Sequence, residues 1–157
     1  MFNIRKIIVP TDFSSLSYTA FDYAKDVASR WGAKIYIVYV LEKQPPFLAM
    51  RSLDVNEDQV MKSMEEQAQQ QLDEAVKYFG EVNFEIETVL RKGVDYEELV
   101  QFSKEIKADL IVLATHGRTG FLHTLIGSVA EKVIRHAKCP VLVTTPTDEQ
   151  REKNRNK

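Results

Sequence analysis

Apolar positions along this chain follow two rhythms, and the two alternate. Short, almost continuous apolar runs are separated by longer stretches in which apolar residues return at helical spacing. The runs Ile4–Pro10, Lys34–Leu41, Asp109–Thr115 and Pro140–Thr145 have the pattern of strands covered on both faces of a parallel sheet. Val82–Leu90 differs, because Val82, Phe84 and Ile86 alternate with Asn83, Glu85 and Glu87. Alternation of this kind predicts a half-exposed strand at a sheet edge.

Four helices are predicted between the strands. The first is capped by Ser14 or Ser15, turns Leu16, Ala20, Phe21, Ala24, Val27, Ala28 and Trp31 to one side, and ends at Gly32. The second runs over about residues 56–79, with Val60, Met64, Ala68, Leu72, Ala75, Val76 and Phe79 as its stripe. A third follows the turn at Gly93, with Asp95 and Glu98 as a capping pair, and extends to about Lys107. The fourth spans about Ser128 to Ala137.

Strands alternating with helices predict an α/β fold with right-handed crossovers: one doubly wound, five-stranded parallel sheet, order 3-2-1-4-5, with helices on both faces. Strands one and four are then central neighbours whose connections leave in opposite directions. Ligands of such sheets bind beyond the carboxyl ends of the strands at that switch point. The residues there are Pro10-Thr11-Asp12 and Ala114-Thr115-His116-Gly117. Residues 1–146 form the domain, and the charged tail 147–157, without apolar anchors, is expected to be disordered. The stretch from Glu42 to Asp54, with Pro45-Pro46 and several apolar side chains, is either a loop folded on itself or a cover over a site.

Composition narrows the possibilities. With 157 residues, 44% of them hydrophobic, the chain suffices for one well-packed domain. A net charge of -2 argues against nucleic acid or an anionic membrane as partner. No apolar run approaches the roughly 20 residues of a membrane span, and the start of the chain lacks a signal-peptide pattern. A lone cysteine, Cys139, excludes an internal disulfide and fits the cytoplasm; it is expected to be a packed thiol. His123 and His136 are expected at the surface.

The loop after strand four carries Gly117, Gly120 and Gly127 and ends at a helix N-terminus, an arrangement suited to phosphate. Neither a Walker P-loop nor a dinucleotide GxGxxG is present. The segments IIVPTDFS, IYIVYV, ATHGRTG and GSVAEKVIRHAKCPVLV, in that order, resemble the universal stress protein family over nearly the whole domain. ATP-binding members of that family share the pattern G-x2-G-x9-G-[ST]. Here Gly117, Gly127 and Ser128 match it, while Ala114 replaces the first glycine, where a methyl group could crowd the ligand. The resemblance implies that Pro10, Thr11 and Asp12 meet the adenine side and that Val40 contacts base or ribose. It further implies that Leu113, Ala114, His116, Gly117 and Arg118 follow the ribose and phosphates, with Gly127, Ser128, Val129 and Ala130 closing on the phosphates. ATP is the implied ligand, with any Mg2+ carried by its phosphates.

Structural alternatives stand beside these roles. Ser128 to Glu131 reads S-x-x-E, a capping box that needs no ligand, and Asp12 could cap the first helix. Gly117 and Gly120 could serve only as turns, His116 only to tie the loop to backbone, and Arg118 could be solvated. Three functions remain open: an ATP-binding regulatory stress-response protein, a dimeric scaffold of the same family without nucleotide, and a slow ATPase. No carboxylate pair or nucleophile arrangement supports catalysis, so ATP turnover, if any, is expected to be incidental. Strand five is an apolar, unprotected edge at Val141, Leu142 and Val143. The resemblance implies a homodimer paired through it.

Overall fold

A computed structural model describes residues 3–42, 57–115 and 126–145. In chain order the elements are β1 (Lys6–Pro10), α1 (Thr19–Trp31), β2 (Lys34–Leu41), α2 (Glu57–Lys77), β3 (Ile86–Lys92), α3 (Asp95–Glu105), β4 (Leu110–Ala114), α4 (Ser128–His136) and β5 (Val141–Thr144). The strands form one parallel sheet in the order β3-β2-β1-β4-β5, as the alternation of the two rhythms predicts.

Side-chain parity along the strands assigns the helices to faces. Ile7 and Val9 of β1, Ile35 and Ile37 of β2, and Leu110 and Val112 of β4 point to one side. There they bury Ala20, Phe21, Ala24 and Ala28 of α1 and Leu72 and Ala75 of α2. Ile8, Tyr36, Val38, Ile111 and Leu113 point to the other side, against Leu99 and Phe102 of α3 and Ala130 and Val133 of α4. Progress from β1 outward to β3 uses one face, and the return through β4 to β5 uses the other, as a single crossover hand requires. Phe21 and Phe79 stack at 5.0 Å and are fully buried; each contributes roughly 1.5–3 kcal/mol from burial alone.

Several local expectations are corrected. Trp31, assigned to the apolar face of α1, is 43% exposed in its last turn. Ser14 does not cap α1 itself. Its hydroxyl accepts from the Ser17 amide at 3.1 Å in a preceding turn, and α1 starts only at Thr19, where Tyr18 offers no side-chain cap. Nor do Asp95 and Glu98 form a capping pair: the N-cap of α3 is Val94, and Glu98 accepts instead from Arg91 Nε at 2.9 Å. The stronger, charge-assisted partner took the carboxylate.

The third strand lies at the edge but begins later than its alternation suggests. Its ladder runs from Ile35 opposite Ile86 to Leu41 opposite Lys92, with the Ile35 amide donating to Glu85 O at 2.9 Å at its start. Val82 and Phe84 pack on the core ahead of the ladder. The second helix stops at Lys77, with Phe79 held in a closing turn by Val76. The Glu42–Asp54 loop beyond its first residue, and the tail, lie outside the described residues. Among the described residues no helix is long and apolar enough to cross a membrane.

Candidate functional site

The crevice is built where β1 and β4 run side by side. Beyond β1 the ladder continues for one residue, with the Thr11 amide donating to Val38 O at 2.9 Å. Beyond β4 the Thr115 amide donates to Thr144 O at 2.9 Å in the same way. The chain returns at Ile126, and the Gly127 amide donates to Thr115 O at 2.7 Å. That bond pins the start of α4 to the end of β4.

Asp12 is folded back on its own turn. Its Oδ1 accepts from the Ser14 amide at 3.0 Å and from the Ser14 hydroxyl, an Asx-type turn that fixes the exit from β1. The next residue, Phe13, sits at φ 65°, a left-handed conformation that is uncommon for a residue of its size. Its ring packs against Tyr39 at 4.5 Å. Backbone of this kind tends to gather at functional sites. Burial first, then the carboxylates of Asp12 and Glu74, push the Tyr18 phenol above its usual range and keep it neutral.

Of the residues singled out in the sequence, Val40, Leu113, Val129 and Ala130 share the cluster between the sheet and α3 and α4. Pro10 turns to the same face by alternation with Ile8. Ala114 closes β4 opposite Thr144. His116, Gly117 and Arg118, like Gly120 and His123, lie outside the described residues.

The capping-box expectation fails at Ser128. Gly127 is the N-cap of α4, Ser128 is the first helical residue, and among the described residues no side chain caps the helix. Glu131 gives its amide to Gly127 O and its carboxylate to Arg135 at 2.8 Å. The first-turn amides of Ser128, Val129 and Ala130 therefore have no intrahelical acceptor and, among the described residues, no capping side chain, and they carry the positive end of the helix dipole.

A set of buried hydroxyls beneath the crevice was not anticipated. Thr11 Oγ1 and Ser17 Oγ lie 2.9 Å apart, and Ser17 Oγ donates to Ser14 O at 2.8 Å. Thr19 Oγ1 lies 3.2 Å from Thr144 Oγ1, tying α1 to the end of β5. In the sequence Thr11 reads as a switch-point residue, while Ser17, Thr19 and Thr144 are not singled out. Their shared burial is the work of contacts up to 125 residues apart. Among the described residues no group of three or more His, Cys, Asp or Glu side chains could hold a metal ion.

Comparisons with known proteins agree with this architecture. The model of the universal stress protein family matches residues 3–145. Universal stress protein MJ0531 of Methanocaldococcus jannaschii is 37% identical over 139 residues, covering 88% of this chain and 81% of that protein. The solved structure of MJ0577, a universal stress protein of the same organism, is 26% identical with a TM-score of 0.79. That match covers 92% of this chain and 98% of the other. A universal stress protein solved in complex with cAMP is 28% identical with a TM-score of 0.64, covering 92% of this chain and 99% of that one. Sheet order, helix placement and the span of these matches lead to one conclusion: the chain belongs to the universal stress protein family.

Proposed function

We propose that this chain is a nucleotide-binding regulatory protein of the stress response, acting in the cytoplasm and holding ATP at the β1/β4 crevice. The observation that carries the reading is the start of α4. Its N-cap is a glycine, no side chain among the described residues caps it, and it is anchored to the end of β4 beside the switch point. A phosphate group there would meet the amides of Ser128, Val129 and Ala130, with no Cβ on Gly127 to intervene. Pro10, Thr11, Asp12 and Val40 would line the base and ribose side, and Leu113 and Ala114 the floor. His116, Gly117 and Arg118 would close over the phosphates. The relative solved with cAMP supports an adenine nucleotide as the ligand class. Mg2+ would arrive with the phosphates rather than on a protein cage.

The reading includes no chemical step. Asp12, the carboxylate at the end of β1, already accepts two hydrogen bonds from Ser14. Nucleotide would instead bias a homodimer paired through β5, whose Leu142 is 36% exposed at the sheet edge. That same edge favours a second reading, a dimeric scaffold without nucleotide, in which Ala114 marks the loss of the ligand.

Calorimetry distinguishes them. ATP with Mg2+ titrated into the purified, nucleotide-free protein is expected to give a saturable heat that Gly127→Asp abolishes. Silence from a correctly folded dimer would overturn the nucleotide reading and leave the scaffold.

A further inference from the structure

On the face that carries α3 and α4 an open groove of about 350 Å3 runs between the two helices, and none of its lining belongs to the crevice. The α3 wall presents Tyr96, Val100 and Lys104, and the far end of α4 presents Arg135 and His136, followed by Lys138. The protein is acidic, yet this groove is basic. Its one lining carboxylate, Glu97, accepts from the Tyr96 hydroxyl at 2.9 Å. The rest of the chain is correspondingly more acidic than its net charge suggests.

Cations in the last turn of a helix have a simple purpose, since they oppose its dipole, and this accounts for Lys104 of α3 and for Arg135 and His136 of α4. It does not account for Lys138, which lies two residues beyond α4, nor for the convergence of both helix ends on the same groove. Among the described residues neither lysine has an ion pair. Between them the floor is aromatic and apolar. Val100 is buried, the Tyr96 ring lies 5.7 Å from that of His136, and Lys132 Nζ stands 4.8 Å from the Tyr96 centroid. An apolar seat bordered by unpaired cations is complementary to an apolar side chain flanked by carboxylates.

We propose that the α3/α4 groove docks an acidic peptide segment of a partner protein, seating an apolar or aromatic side chain against Tyr96 and Val100 and its carboxylates on Lys104 and Lys138. Nucleic acid fits less well. Its affinity accumulates from many phosphate contacts along a strand, whereas these cations cover one short site on a protein of net charge -2.

The test uses a labelled, end-capped peptide of four glutamates around one phenylalanine, followed by fluorescence anisotropy. Saturable binding in the micromolar range, weakened by salt, is expected. Combined Lys104→Glu and Lys138→Glu exchange should lower affinity by about tenfold or more, while Arg30→Glu on α1 leaves it unchanged. Single Lys104→Gln and Lys138→Gln exchanges, at exposed positions, should lower it in smaller steps without disturbing the fold. Absence of saturation at millimolar peptide would overturn the proposal. So would an equal loss in Arg30→Glu, which would mean unspecific attraction. A short oligothymidylate that bound more tightly through the same two lysines would overturn it in favour of nucleic acid.

Discussion

Gly127 holds φ -55° and ψ 149°, a backbone that any residue can adopt, so its substitution tests ligand chemistry without straining the chain. An aspartate there would cap α4 and complement its dipole, stabilising the protein by about 0.3–1 kcal/mol. The same carboxylate would repel phosphate. Gly127→Asp is therefore expected to melt slightly higher than wild type in a thermal scan while losing ATP binding in the calorimeter. A variant that lost both would mean the glycine serves the fold. Gly93 is the opposite case. It sits at φ +153°, and an added Cβ would lie 2.8 Å from Glu98 Oε1, so Gly93→Ala should destabilise by about 1–2 kcal/mol in urea unfolding. Cys139 is quiet by environment: burial pushes its thiol up, and a thiol reagent at neutral pH should modify it more slowly than an unfolded control.

At the scale of elements, the edge strand β3 is braced by ions as well as by its ladder. Arg91 binds Glu98 on one side and Glu105 on the other, at 2.9 Å and 3.1 Å, and its guanidinium lies 5.6 Å from the Phe102 ring. Arg91, with Gln101 adding a second hydrogen bond, holds the Glu105 carboxyl below its ordinary value of 4.5. A carboxylate lowered by folding contributes stability above its unfolded pKa and loses it as the pH falls through the folded one. Urea midpoints of wild type should thus fall more steeply than those of Glu105→Gln below about pH 4.5, by a small amount because the pair is exposed. The α1–α2 face depends instead on aromatic packing. Phe79→Ala would empty a fully buried site beneath Phe21 and cost about 3–5 kcal/mol.

For the whole molecule the β5 edge of the sheet decides assembly. Pro140 O and Thr144 O accept from Ile111 and Thr115 of the β4 side, so alternation aims the amides of Val141 and Val143 away from the sheet. Val143→Pro would remove an outward donor and leave the β4–β5 ladder whole. Sedimentation of wild type should show a dimer at micromolar concentration and of Val143→Pro a folded monomer; a wild-type monomer would refute pairing through β5.

Much of this architecture was legible in periodicity. Each apolar run is long enough for one strand, and each amphipathic stretch can bury its stripe only by crossing over to the next. That logic yields the sheet order and the switch point, and the glycine spacing with its family resemblance locates the candidate site. What escaped it depended on partners in other elements. Whether Ser128 or Gly127 caps α4 is decided by where the chain meets Thr115, and whether Glu98 caps a helix is decided by Arg91 on a neighbouring strand. The hydroxyls of Thr19 and Thr144, and the lysines of the α3/α4 groove, are unremarkable where they stand in the chain. Local pattern reports what a residue does to its own element. Only packing decides which side chain of another element becomes its partner.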